Sequence, residues 1–178
     1  VDVYLRGATA IDLSEHSAVA LLRDRNLQAW GYNAQGQLGL GDEGDRSLPT
    51  DMIQPWRATA GVDGATEDVY AVGYTAAGYR TLAVTNTDDL YAVGNNGSCS
   101  ALTQGTDSVK INTFTQMRKY AQDDNRGLTD LYYYNSDPNS PYVDNVVMAA
   151  TGANHTMVLR NDGTIYSWGL NTRGQLGS

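Results

Sequence analysis

Near the start of the chain, Asp12, Ser14 and His16 supply the carboxylate, hydroxyl and imidazole of a hydrolytic triad. Alternate positions of one short segment rarely bring such groups into line, because a working triad is assembled from separate elements. Asp42, Glu43 and Asp45 offer oxygens of the kind calcium takes, but the run lacks the ligand periodicity of a calcium loop, and a solvated connection is the expectation. Two histidines, His16 and His155, and one cysteine, Cys99, are a poor basis for a transition-metal site. No catalytic residue, metal or cofactor is therefore expected. Asn96-Gly97-Ser98 and Asn154-His155-Thr156 fit the N-glycosylation pattern, which matters only in a eukaryotic secretory host. The remaining chemistry is that of recognition. Tyr132, Tyr133 and Tyr134 precede a turn-rich Asn/Ser/Asp/Pro loop that ends at Tyr142. Tyrosine gives a large, rigid, amphipathic surface, so these four rings are the candidate contacts for a protein or glycan partner. The competing reading packs them onto a neighbouring strand.

The elements that must position these residues are repeated. WGYNAQGQLGLGD, from Trp30, and WGLNTRGQLGS, from Trp168, are nearly one peptide placed 138 residues apart. A catalytic site is normally built once, so a duplicated motif points to a repeated structural unit. Upstream of the second copy, alternating runs flank Asn161-Asp162-Gly163, and Asp-Gly between such runs predicts a hairpin with a type I′ turn. Upstream of the first, His16-Ser17 opens an apolar run, Arg23 to Asn26 supplies the turn, and Leu27 to Trp30 returns. Matching His16 with His155 gives a spacing to tryptophan of 14 residues in one copy and 13 in the other. A worn third copy has Arg80-Thr81 for the histidine pair and Val93 for tryptophan, with Gly94 and Asn96 retained. Gly31, Gly94 and Gly169 then lie 63 and 75 residues apart, which predicts a multi-strand sheet per unit.

The pattern Gly-x-x-His-(Ser/Thr), two short strands, then Trp-Gly-x-Asn-x-x-Gly-Gln-Leu-Gly resembles the repeats of the regulator of chromosome condensation family. Gly152, His155, Thr156, Trp168, Gly169, Asn171, Gly174, Gln175, Leu176 and Gly177 carry it almost completely. His16, Trp30, Gly31, Asn33, Gly36, Gln37, Leu38 and Gly39 carry it again, with Leu13 in place of the leading glycine. The resemblance covers about 100 of the 178 residues. It implies an all-β fold, a seven-bladed β-propeller whose blades are four-stranded antiparallel sheets. His16, Trp30, Gly31, His155, Trp168 and Gly169 are then structural repeat positions, with Trp30 and Trp168 filling inter-blade contacts and Trp56 of lesser weight.

Three repeats, near residues 1–50, 66–105 and 143–178, are too few to close a ring that usually takes about four to eight blades. The expectation is one domain that is incomplete or part of a larger propeller, associated with further repeats or other chains. An insertion of about residues 106–142 interrupts the rhythm, and the spacing of Phe114, Met117 and Ala121 predicts a short helix over 113–122. A net charge of −8, with Lys110 and Lys119 as the only lysines, argues against nucleic acid as the main partner. No apolar run approaches the roughly 18 residues of a membrane helix. The composition points to a non-enzymatic binding or structural module of an extracellular, cell-surface or virion assembly. Family precedent offers an alternative, a propeller that promotes nucleotide exchange on a small GTPase.

Overall fold

Strand propensity and turn chemistry act together in the three hairpins. In the computed structural model, which describes residues 5–58, 71–96, 110–117 and 142–177, alternating runs pair as antiparallel meanders. The first sheet contains β1 (Ala8–Leu13), β2 (Ser17–Leu22), β3 (Leu27–Gly31) and β4 (Arg46–Asp51), followed by one helical turn, α1 (Pro55–Ala58). The second contains β5 (Ala71–Ala77), β6 (Arg80–Thr85), β7 (Leu90–Asn95) and β8 (Lys110–Gln116). The third contains β9 (Val146–Thr151), β10 (His155–Arg160) and β11 (Ile165–Gly169). These are three blades of a β-propeller whose sheets do not close a ring.

The turns differ from the two-residue form expected at Asp162-Gly163. Arg160 N donates to Thr164 O, and Gly163 N donates to Arg160 O, so three residues form the loop. The same pair of bonds recurs at Leu22/Asn26 and Thr85/Asp89. Each loop has one left-handed residue, Arg25, Asp88 or Gly163, as a type I turn closed by a bulge requires.

This equal hairpin length fixes the equivalence of the repeats. Ser17 pairs with Gly31, Arg80 with Gly94, and His155 with Gly169. Ser17, not His16, therefore stands at the position of His155, and His16 matches Tyr79 and Asn154. Likewise Ser14, not Leu13, takes the place of Gly152: the amides of both donate to the carbonyl three residues on. At the matched glycines φ is 104°, 111° and 112°, and a β-carbon would fall on the carbonyl oxygen of His16, Tyr79 or Asn154 respectively. Only glycine fits there.

Two apolar cores separate the blades. Val19, Leu27, Ala29, Leu38, Met52 and Trp56 of the first blade meet Ala83, Val93 and Phe114 of the second. Leu82, Val84, Leu90, Ala92 and Met117 of the second meet Val146, Val158 and Trp168 of the third. The second blade is thus buried on both faces. For this reason the helix expected over 113–122 is overturned where it is described: Thr113–Gln116 belongs to β8. Phe114 enters one core and Met117 the other, and double burial removed the polar alternation that marks an exposed strand.

The tryptophans also divide otherwise than expected. Trp168 is buried, Trp30 is half-buried because no preceding blade covers its face among the described residues, and Trp56 is only 2% exposed. Trp56 stands 4.8 Å from the Tyr91 ring and 5.1 Å from that of Phe114. It supplies aromatic bulk to a seam where the second blade offers Val93 instead of tryptophan.

Candidate functional site

The Gly-Gln-Leu-Gly segment is a folded loop built by its asparagine. Asn33 Oδ1 accepts the Leu38 amide at 2.9 Å, its carbonyl accepts the Gly36 amide, and its side-chain nitrogen reaches the carbonyls of Asp42 and Gly44. Asn171 repeats the first two bonds with Leu176 and Gly174. The first loop is pressed into the second blade. Thr81 donates its hydroxyl to Gln37 O at 2.9 Å, Gly41 N donates to Asn112 O, and a β-carbon on Gly36 would strike the Asn112 backbone. Arg80 ties the next seam: its buried guanidinium donates to Asn95 O and, across the blades, to Ala153 O at 2.6 Å. The charge that replaced a histidine in the sequence pattern serves as an inter-blade strut.

The structure does not assemble the hydrolytic trio. Ser14 Oγ lies 2.6 Å from Ser17 Oγ and accepts the Ser17 amide, while Asp12 Oδ2 accepts the Ala76 amide across the seam. His16 Nε2 lies 4.0 Å from Glu15 Oε1. The acidic run is a loop clamp. Asp42 pairs with Arg46 at 2.6 Å, Glu43 with Lys110 at 2.8 Å, and Asp45 accepts the Asn33 amide. The Arg46 and Gly44 bonds hold the Asp42 carboxyl below its usual range. Among the described residues no group of three or more metal-ligating side chains gathers, and no helix is long and apolar enough to cross a membrane.

Of the candidate contact tyrosines, Tyr132, Tyr133 and Tyr134 lie outside the described residues, and Tyr142 is half-buried. The structure instead draws together rings that the sequence pattern left apart. His16 packs edge-on to Tyr32 with centroids 6.1 Å apart, and Tyr32 meets Tyr79 at 5.8 Å. His16 and Tyr79 are exposed and Tyr32 is half-buried. The rings converge because His16 and Tyr79 hold one repeat position in adjacent blades, while Tyr32 follows the matched glycine and donates its amide to His16 O. Their signal in the sequence is this repeat equivalence, hidden because His16 and His155 share a residue type while holding ladder positions one residue apart.

Family models for the regulator of chromosome condensation (RCC1) repeat match residues 27–59 and 147–175, the two segments that hold the asparagine-closed loops. Two segments of the chain thus match RCC1 repeats. The first match includes Trp56, so the buried tryptophan belongs to the repeat rather than lying outside it. Among curated proteins the chain is 29% identical to a bifunctional serine/threonine-protein kinase/NEDD4-like E3 ubiquitin-protein ligase of Dictyostelium discoideum, over 97% of its length and 8% of the relative's. It is 28% identical to the ultraviolet-B receptor UVR8 of Arabidopsis thaliana, over 92% of its length and 29% of the relative's. Among solved structures, human WBSCR16 aligns at a TM-score of 0.69 with 21% identity, over 93% of this chain and 34% of that one. Prp20, the yeast RCC1 protein, solved with Kap60 bound, aligns at 0.64 with 19% identity, over 94% of this chain and 33% of that one. The chain thus spans about a third or less of the proteins it matches, and the structural likenesses carry the fold alone.

Proposed function

We propose that the chain is a non-enzymatic protein-binding module, and that the His16–Tyr32–Tyr79 cluster is part of the surface that meets its partner. The observation that carries this reading is that cluster: three adjoining rings, two of them exposed, at one end of a seam held rigid by Thr81, Gly36 and Asn112. Exposed aromatic rings on a rigid scaffold give contact area at little entropic cost. Glycan recognition by the same rings, a contact role for Tyr132–Tyr134, and a setting in a surface, virion or fibre assembly belong to this proposal.

Regulation of a small GTPase is the second reading. It draws support from the fold shared with Prp20, one of whose structures was described together with binding to Gsp1p and histones.

The test compares the wild-type chain, a His16→Ser/Tyr79→Ser variant and a Tyr132→Ser/Tyr133→Ser/Tyr134→Ser variant as immobilised baits for proteins from the source cell. Loss of specific captured proteins by the first variant, with its melting temperature unchanged, supports the assignment. Retention of all of them removes the cluster from the binding surface. Loss by the second variant alone, with its melting temperature unchanged, moves the site to the Tyr132–Tyr134 segment. Accelerated nucleotide release from a captured GTPase favours the second reading.

A further inference from the structure

The turns joining β2 to β3, β6 to β7 and β10 to β11 share one backbone and differ in charge. Leu22/Asn26, Thr85/Asp89 and Arg160/Thr164 close with the same pair of bonds, so Arg23 stands where the other blades have Asn86 and Asn161, and Arg25 where they have Asp88 and Gly163. The turn therefore folds without either arginine. Arg25 even carries a left-handed φ of 67°, which glycine adopts freely and a residue with a β-carbon does not. Arg57 of α1 joins them from outside the hairpin: its Nη1 donates to Asn26 Oδ1 at 2.5 Å and to Asp24 O at 3.4 Å. Three arginines thus surround one turn, and all three are exposed.

Elsewhere Arg46, Lys110 and Arg160 pair with carboxylates, whereas neither Arg23 nor Arg57 forms an ion pair among the described residues. Two acidic side chains are close in the hairpin, and amides hold both: the Asn26 backbone and side chain bind Asp24, and Gln28 Nε2 binds Asp51 at 2.7 Å. The openness of this rim does not depend on a blade's place in the stack. Asn161, with a blade before it, and Thr87, with a blade on either side, are exposed as well.

We propose that the turn ringed by Arg23, Arg25 and Arg57 binds a short acidic segment of a partner protein, whose carboxylates pair with the guanidinium groups. Guanidinium presents paired donors in the geometry a carboxylate accepts. What flanks the turn limits the length of the segment. The corresponding turns carry Asp88 and Asp89 in the second blade and Asp162 in the third, so an extended polyanion would pass from attraction into repulsion along the rim. Together with the net charge of −8, this favours a few acidic residues of a peptide over a nucleic acid or an anionic membrane. The six residues of β2 separate this turn from His16, so the site lies on the opposite rim from the aromatic cluster, roughly 20 Å away.

Fluorescence anisotropy of a labelled oligo-glutamate peptide, titrated with the full chain at low salt, is expected to show saturable binding that weakens as salt is added. Arg23→Asn/Arg25→Asp gives the first turn the residues that the second blade already folds, and Arg57→Gln removes the third charge. Each variant is expected to bind about tenfold more weakly, with the melting temperature of the wild type. Should the turn variant melt early, Arg57→Gln decides alone. His16→Ser/Tyr79→Ser is expected to bind the peptide as the wild type does, which separates this site from the aromatic one. Absence of saturable binding by the wild type overturns the proposal, and so does full affinity in either arginine variant. A single-stranded oligonucleotide of the same charge that binds as tightly as the peptide also overturns it, because the rim would then take any polyanion.

Discussion

Replacing Trp56 by alanine removes the largest aromatic group from the seam between the first two blades. An indole buries about 150–250 Å², which at about 25 cal/mol per Å² gives roughly 4–6 kcal/mol as an upper bound. Mutational losses for Phe or Trp→Ala in cores run to about 3–5 kcal/mol. Trp56 is 2% exposed and touches two rings, Tyr91 and Phe114, so it belongs well inside this range, at about 4 kcal/mol. Trp30, half-buried on an open face, should lose about half as much. Urea unfolding followed by far-ultraviolet circular dichroism would read this directly. With a slope of about 2 kcal/mol per molar, the Trp56→Ala midpoint should fall by about 2 M. A loss below about 1 kcal/mol, or one no larger than that of Trp30→Ala, would refute the account of this seam.

Gly94→Ala should cost at least about 3 kcal/mol, because φ is 111° and the new methyl would fall on the Tyr79 carbonyl; Gly163→Ala, at φ 83° with open space around it, should cost about 1 kcal/mol in the same thermal melt. Acid should loosen the Asn33–Arg46 loop. Asp42 titrates below its ordinary value of 3.8, so its contribution is present above that value and is lost as the pH falls through the lowered one. Amide shifts of Asn33 and Gly44 would report the change, and Arg46→Met should move it to higher pH.

The all-β propeller reading came through the sequence because glycines, asparagines and turns are local requirements. Gly31 and Gly169 must be glycine, and Asn33 and Asn171 must close the same loop, so those residues recur visibly. What failed depends on neighbours distant in sequence. His16 and His155 looked equivalent as dipeptides, yet ladder pairing with Gly31 and Gly169 shifts the match to Ser17. Phe114 and Met117 looked helical because a strand clasped on both faces shows no alternation. Trp56 looked peripheral because only the shortfall at Val93, a blade away, explains its burial. The His16–Tyr32–Tyr79 cluster depends on two blades at once and has no local signature.

Among the described residues, the blade with the faintest repeat signature is the one whose two faces are both covered by neighbouring blades. In a stack whose stability is a sum of units and their contacts, a central unit draws on two contacts and a terminal unit on one. A sequence in that position can therefore differ in its signature residues while neighbours hold its shape, as it does at Arg80 and Val93. Loss of either described neighbour leaves this blade one remaining seam, so it is where the two seams are coupled. A faint motif and a small structural weight are separate things here: the repeat that matches the pattern least joins the two described seams.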